Sequence, residues 1–310
     1  MADMVFSGVT FSGGYSITLP PPPSYNVYAI FGYGYTNSSG TIRTSITNLV
    51  SNTGVVATDT TGVGTARGGL AASGYGTDKA IFGYGYNGAS VSMTNLVSNT
   101  GVVATDTAGV GTARSDLAAA VYGTDKAIFG YGYTSTQQSI TNLVTNTGVV
   151  GNNVTGVGTA RRQLAATGYG TDKAIFGYGQ SSAGSVSMTN LVSNTGVVGN
   201  DVTGVPSARV ALAATGYGSS GQAIFGYGGG GFNLVSNTGV VASETSTVGT
   251  SRTDLAAAIY GSDKAIFGYG FASTVRSMTN KVSNTGVVAT DTTGVGTARF
   301  ALAAASYGSA

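Results

Sequence analysis

The chain has no cysteine, no histidine and no tryptophan among its 310 residues. Disulfide bonds are therefore excluded, and so are thiolate nucleophiles, imidazole bases and the ligands that most transition-metal sites use. We expect a protein that is not an enzyme and that holds no metal and no cofactor. A pair of carboxylates assembled from distant segments, of the kind that glycoside hydrolases use, stays open as an alternative.

Charge is scarce as well. Only 8% of the residues are charged, against about 25% in an average globular domain. The 14 basic residues nearly balance the 12 acidic ones, and no run of Lys and Arg is present, so nucleic acid is not an expected partner. The first residues lack a basic segment followed by a long apolar stretch. We therefore expect no signal peptide, no membrane insertion and synthesis in a cytoplasm.

What the chain has instead is one sequence unit that occurs six times. The segment "AIFGYG" begins at residues 29, 80, 127, 174, 223 and 265, so successive copies lie 42 to 51 residues apart. Each copy is followed by a stretch like "NLVSNTGVV", then by an arginine and then by "LAA". Repeats of this length with several strand-like segments are typical of β-propeller blades.

Each repeat is predicted to form four short antiparallel strands. The segments "LAAxxYG" and "KAIFGYG" flank a "GTDK" turn, and "SITNLV" and "GVVA" flank an "SNTG" turn. Gly, Asn and Asp favour such hairpin turns. The Ala-rich runs are too short for a helix, because Gly follows them after three or four residues. We place "LAA" innermost, since Ala and Gly fit a crowded hub.

The phase of the repeats predicts a closed ring. The first repeat has no "LAA" segment before it, whereas the last repeat ends in one. If that C-terminal strand pairs beside residues 29–34, the first blade is complete and no open sheet edge remains there. We therefore expect an all-β fold, with a six-bladed β-propeller over residues 25–310. An open β-solenoid is the alternative, although it would need polar caps at both ends.

The order "AR-x-x-LAAA-x-YG-TDKAIFGYG … NLVSNTGVV … TAR" resembles the kelch repeat, but Gly-Tyr-Gly replaces the paired glycines and the tryptophan is missing. The repeat sequence is more similar to those of kelch-like repeat proteins of tailed bacteriophages, including phages of cyanobacteria, over residues 29–310. The resemblance implies a virion structural protein, a tail-fibre or decoration module displayed for host-surface attachment. A soluble lectin-like or protein-binding propeller that is not part of a virion is the alternative.

Residues 1–24 precede the repeats and do not share their pattern. They combine a β-prone segment with four prolines, Pro20 to Pro23, which favour an extended spacer. We expect this arm to dock onto other virion proteins by strand addition. A frayed terminus with no partner is the alternative.

The loops between the second and third strands vary most among the repeats, so they are the candidate surface for a host glycan or protein. Tyr35, Tyr86, Tyr133 and Phe271 open four of these loops, and Arg43 and Arg276 are their only basic residues. Exposed rings stack on sugars or on partner proteins. The alternative is that each ring only covers the rim of its own blade.

One arginine precedes each "LAA" segment, at Arg67, Arg114, Arg161, Arg209, Arg252 and Arg299. We place these six arginines around the mouth of a central channel. They either hold an anion or, as we prefer, donate hydrogen bonds to carbonyls or to Asp and Asn neighbours such as Asp59, Asp106 or Asp291. Calcium at these acids is not favoured, because they are spread one per repeat.

Overall fold

The structure is a computed structural model that describes residues 26–205 and 207–309, and every regular element in these residues is a β-strand. The predictions for residues 1–24 lie outside the described residues. The strands are β1 (Asn26–Gly32), β2 (Thr47–Val50), β3 (Ala71–Tyr75), β4 (Lys79–Gly83), β5 (Thr94–Val97), β6 (Ala118–Tyr122), β7 (Lys126–Tyr133), β8 (Gln137–Val144), β9 (Val150–Val154), β10 (Ala165–Tyr169), β11 (Lys173–Gly177), β12 (Gln180–Ser181), β13 (Gly184–Ser185), β14 (Thr189–Val192), β15 (Ala213–Tyr217), β16 (Gln222–Gly226), β17 (Phe232–Val235), β18 (Ala256–Tyr260), β19 (Lys264–Ala272), β20 (Thr274–Val282) and β21 (Ala303–Ser309).

The strands form small antiparallel sheets, one for each repeat, so the prediction of an all-β protein is confirmed. In each sheet a "KAIFG" strand lies between an "LAA" strand and a "NLV" strand; the six sheets are β21-β1-β2, β3-β4-β5, β6-β7-β8-β9, β10-β11-β14, β15-β16-β17 and β18-β19-β20. A further two-stranded sheet, β12-β13, is formed by one of the variable loops. This architecture is compatible with a β-propeller.

The first sheet is assembled from both ends of the described chain. Strand β21 pairs with β1 in a register of seven residues, from Asn26 opposite Ser309 to Gly32 opposite Ala303. This is the pairing that the phase of the repeats predicts. The ring of Tyr307 stacks on Tyr28 with 5.7 Å between the centroids, so the pairing is accompanied by side-chain packing.

The fourth strand of each repeat is weaker than predicted. Only the third repeat has it as a regular strand, β9, whereas the other repeats pair there through isolated bridges such as Val50 with Val56 and Thr47 with Thr60. An asparagine side chain takes part in this ladder in every repeat, including the third, so it does not by itself explain the difference. The Nδ2 atom of Asn48 donates to the Ala57 carbonyl at 3.0 Å. Irregular outer edges of this kind discourage pairing with other chains.

Two series of backbone hydrogen bonds connect neighbouring inner strands. At one end, the residue before each inner-strand leucine donates its N–H to its equivalent in the preceding sheet at 2.8 Å; these six hub residues are Gly69, Asp116, Gln163, Ala211, Asp254 and Ala301. Gly69, the first of these residues along the chain, donates to Ala301, the last, so every member of the series both donates to and accepts from another member. At the other end, turn glycines such as Gly76 donate to the next sheet, and Gly308 donates to Asp78 at 3.0 Å.

The core lies between neighbouring sheets. The Ile and Phe of each "KAIFG" strand are inaccessible to solvent and pack with the alanines, leucine and tyrosine of an adjoining inner strand. Burial of these side chains stabilises each sheet against the next rather than the sheet by itself. Within the described ranges there is no helix of the length and apolar character that a membrane span needs.

Candidate functional site

The repeated arginines lie inside the protein. Arg67 is fully buried, with its guanidinium 4.4 Å from the centre of the Tyr33 ring. Its Nε donates to the Tyr84 carbonyl at 2.8 Å, its Nη1 to the Thr65 carbonyl at 3.0 Å and its Nη2 to Asn95 Oδ1 at 2.6 Å. Charge-assisted hydrogen bonds together with a cation–π contact compensate the loss of water around the buried charge.

All six arginines stand over a tyrosine of the preceding repeat at 4.3 to 4.7 Å from the ring centre; the pairs are Arg67 with Tyr33, Arg114 with Tyr84, Arg161 with Tyr131, Arg209 with Tyr178, Arg252 with Tyr227 and Arg299 with Tyr269. The expected position around an open channel mouth is therefore corrected to a buried position between sheets. The guanidinium of Arg67 packs on the Tyr33 ring instead of facing solvent. The hydrogen bonds that Arg67 donates to two carbonyls and to Asn95 are of the kind that the sequence analysis preferred.

The central tyrosine of "GYG" is a residue whose role the sequence analysis missed. Tyr33 has a φ of 66°, in the left-handed region that non-glycine residues rarely adopt. Its hydroxyl donates to the Val63 carbonyl at 3.0 Å. The next residue, Gly34, has a φ of 107°, and a Cβ there would lie 2.7 Å from the Phe300 carbonyl oxygen. The signal in the sequence was the strict pairing of each "GYG" with a later arginine.

We call each buried arginine, together with its tyrosine and its hydrogen-bond acceptors, a junction. An acidic residue completes most of these junctions. Asp106 accepts hydrogen bonds from the Thr65 N–H and hydroxyl and from Asn95 Nδ2, and lies 3.8 Å from Arg67 Nη1. Burial raises the pKa of Asp106, but the hydrogen bonds from Thr65 and Asn95 and the charge of Arg67 outweigh it and hold the pKa below its ordinary value. The equivalent residues are Asp59, Asn153, Asp201, Glu244 and Asp291.

Four of the predicted ligand-binding residues come together on the loop face. The Phe271 ring lies 5.5 Å from Phe300, and Phe300 lies 5.3 Å from Tyr35. The guanidinium of Arg43 is then 5.6 Å from the Tyr35 ring centre and 5.1 Å from that of Tyr86. We call these five side chains the arc. They connect the sixth, first and second repeats.

The members of the arc differ in exposure. Tyr86 is the most accessible, with 37% of its surface exposed, and Tyr35 is half-buried. The Tyr35 ring covers Gly68 so closely that a Cβ there would lie 2.2 Å from it. Burial raises the pKa of Tyr35, although the contact with Arg43 opposes this shift. Tyr86 is therefore the ring best placed to receive a ligand.

Two predicted ligand-binding residues lie outside the arc. Tyr133 packs against Arg162, whose guanidinium is 4.6 Å from the ring centre. Arg276 donates from Nη2 to the Ala272 carbonyl at 3.0 Å within its own hairpin. Phe300, in contrast, belongs to the arc and was not predicted, although it is the only aromatic residue that directly follows a repeated arginine.

Two carboxylates at the hub were also missed by the sequence analysis. Asp116 and Asp254 are hub residues and border a cavity of about 70 Å³ together with the inner-strand leucines. Burial raises the pKa of Asp254 to about 6, which the charge of Asp116 reinforces and a hydrogen bond from Thr253 opposes. Burial also raises the pKa of Asp116, and the charge of Arg162 opposes that shift. Both carboxylates are therefore harder to ionise than an exposed aspartate.

The inner strands surround a larger cavity of about 330 Å³, which is lined mainly by alanine, glycine, serine and threonine. Val121 and Ile259 are its bulky aliphatic residues, and Tyr169, Tyr217, Lys173 and Gln222 also line it. A Cβ on Gly216 would lie 2.9 Å from Ile259 Cδ1, so Ile259 narrows the space on its side. In the part of the chain that the structure describes, no three His, Cys, Asp or Glu side chains are grouped as a metal site would need.

Comparisons with known proteins give no further assignment. No family model matches the chain, and no curated protein matches it.

Proposed function

We propose that residues 26–309 form a closed six-bladed β-propeller. Three observations support closure: strand β21 pairs with β1, the hub residues donate to one another around the whole series, and the junction between the last and first repeats has the same parts as the others. At that junction Arg299 donates to Asn48 at 2.6 Å and Thr297 donates to Asp59. An open solenoid would leave these last partners apart.

We further propose that the protein is a structural component of a phage particle, and that it presents the arc to a host-surface glycan or protein. The arc is the observation that carries the binding role. It joins aromatic and basic side chains from loops that differ among repeats, and Tyr86 and Arg43 have surface for a partner. The resemblance of the repeats to phage kelch-like proteins supports the virion setting. Many copies on one particle would multiply weak contacts into firm attachment.

The second candidate is a lectin-like or protein-binding propeller outside a virion. The same arc supports it, because aromatic rings beside an arginine bind ligands in either setting. The two candidates differ in where the protein is found rather than in how it binds.

The test has two readouts, detection of the chain on purified phage particles and binding of the labelled full-length chain to host cells. We expect the chain on particles, and we expect Tyr86→Ala to weaken cell binding while Tyr133→Ala leaves it unchanged. Tyr133 is the matched control, since it opens the equivalent loop outside the arc. Absence from particles with binding that still depends on Tyr86 would favour the second candidate. Cell binding that is indifferent to Tyr86 would remove the arc from both.

A further inference from the structure

Arg43 belongs, with Arg114 and Arg276, to the arginines whose charge no nearby acid balances in the described part of the chain. Within residues 26–205 and 207–309 no carboxylate lies within 4.0 Å of it, and no carbonyl or carboxylate accepts a hydrogen bond from it. Its Nε atom is buried without a hydrogen-bond partner. A buried donor that lacks a partner is unfavourable, here as at Arg276 and Arg299. The position is therefore held against a local penalty.

The two tyrosines explain how Arg43 is held. Their ring centres lie 5.6 Å (Tyr35) and 5.1 Å (Tyr86) from the guanidinium carbon, and they belong to consecutive repeats. Cation–π contacts fix the guanidinium plane but satisfy none of its N–H groups. Arg43 is only partly buried. Since its Nε is inaccessible, the part that meets solvent lies elsewhere on the residue, and the two Nη atoms carry the remaining donors.

A second arginine on the same face shows what Arg43 lacks. Arg162 stands over Tyr133 in a similar way, at 4.6 Å from the ring centre. Its Nε and Nη2 both donate to Gln180 Oε1, at 3.0 and 2.8 Å. An oxygen acceptor from the chain thus completes Arg162, and Asp116 adds a nearby negative charge. Among the described residues no carbonyl, amide or carboxylate oxygen completes Arg43 in this way, and its polar contact is with the Tyr35 hydroxyl.

We propose that Arg43 binds the carboxylate of an acidic saccharide, with the exposed Tyr86 ring stacking on the sugar beside it. A carboxylate presents two oxygens in a plane and pairs with adjacent guanidinium N–H groups by charge-assisted hydrogen bonds. A pyranose ring offers C–H groups to an aromatic face, and Tyr86 has 37% of its surface free for this contact. This inference rests on the proposed binding role of the arc and adds the class of ligand.

The test uses the full-length chain and three probes in calorimetry: oligogalacturonate, the same oligomer with its carboxyl groups methyl-esterified, and a sulfated oligogalactan. We expect the free acid to bind at least about tenfold more tightly than the ester, since charge-assisted hydrogen bonds exceed neutral ones by this order. Added salt should weaken the binding of the free acid and leave the binding of the ester unchanged. Stronger binding of the sulfated probe than of the carboxylate would overturn the assignment to carboxylates.

The variants separate this inference from the proposed function. Arg43→Gln should remove the preference for acid over ester, while Arg162→Gln, the matched control, should retain it. Thermal melting checks that both variants fold. If both variants lose the preference for acid over ester to the same extent, the attraction is a general one to positive charge and the inference is overturned. Failure of every anionic probe to bind would overturn it as well. If Tyr86→Ala still weakens cell binding while Arg43→Gln changes nothing, the inference fails and the proposed function stands.

Discussion

Replacement of one tyrosine tests whether the C-terminal strand is part of the closed structure. Tyr307 in β21 and Tyr122 in β6 occupy the same position of the repeat and are 6% and 4% exposed. Both rings close over a turn glycine of the next repeat, because a Cβ at Gly101 would lie 2.6 Å from the Tyr307 hydroxyl and one at Gly196 2.9 Å from Tyr122 Cζ. The two side chains therefore have similar surroundings, although Tyr307 also stacks on Tyr28.

Truncating a large buried aromatic side chain to alanine costs about 3–5 kcal/mol. We expect Tyr307→Ala and Tyr122→Ala each to lower the free energy of unfolding by this amount, which is a large part of the about 5–15 kcal/mol typical of a domain. Urea unfolding followed by far-UV circular dichroism measures both. If Tyr307→Ala lies within about 0.5 kcal/mol of the wild type while Tyr122→Ala costs the full amount, the C-terminal strand is not integral and the closed ring is refuted. Deletion of residues 300–310 should likewise abolish cooperative unfolding.

Three further predictions concern protons and backbone contacts. Because the pKa of Asp106 is lowered in the folded state, its contribution is present above about pH 4 and is lost as the pH falls through the lowered pKa; Asp106→Asn should flatten the acid limb of melting temperature against pH. The pKa shift of Asp254 has the opposite sign, since burial raises this pKa to about 6. Asp254→Asn should therefore stabilise the protein by about 1–3 kcal/mol above pH 6 and by nothing near pH 4. Gly85→Ala should lower the free energy of unfolding by about 1–3 kcal/mol, because its Cβ would lie 2.9 Å from the Gly68 carbonyl oxygen. Gly88→Ala should lower it less, because a Cβ there would have nothing within 4 Å. Chemical denaturation compares the two variants, and equal losses of stability would contradict the contact argument.

The repeat itself made much of the fold predictable. Strict recurrence of "AIFGYG" between turn residues indicates the middle strand, and the structure pairs it on both sides in every sheet. The phase of the first and last repeats predicts the pairing of β1 with β21. The fourth strand was overestimated. The sequence "GVVATDTTG" is β-prone, but five of the six repeats pair there only through isolated bridges.

The site was less predictable, because its geometry depends on contacts between repeats. Tyr35, Tyr86, Phe271 and Arg43 were found from loop variation alone, but nothing in the sequence predicts that Arg43 reaches the next repeat. Periodicity places the six arginines at equivalent positions without indicating their depth. Their burial depends on the left-handed tyrosine of "GYG", whose conformation the sequence pattern does not reveal.

The division between constant and variable residues follows from these junctions. A buried arginine needs a ring beneath it and several oxygen acceptors around it, so a change in one member leaves a buried charge without partners. The variable loop begins directly after "GYG". In the first junction it supplies none of the hydrogen-bond acceptors of Arg67. In that junction the loop can change length and composition without removing a partner of the arginine, whereas in the fifth repeat Gly231 of the loop accepts a hydrogen bond from Arg209. The second repeat thus contributes Tyr86 to the arc while Tyr84, two residues earlier, supplies the carbonyl that holds Arg67. A binding surface can diverge on this protein because the buried arginine of the first junction and its hydrogen-bond partners are not members of the arc.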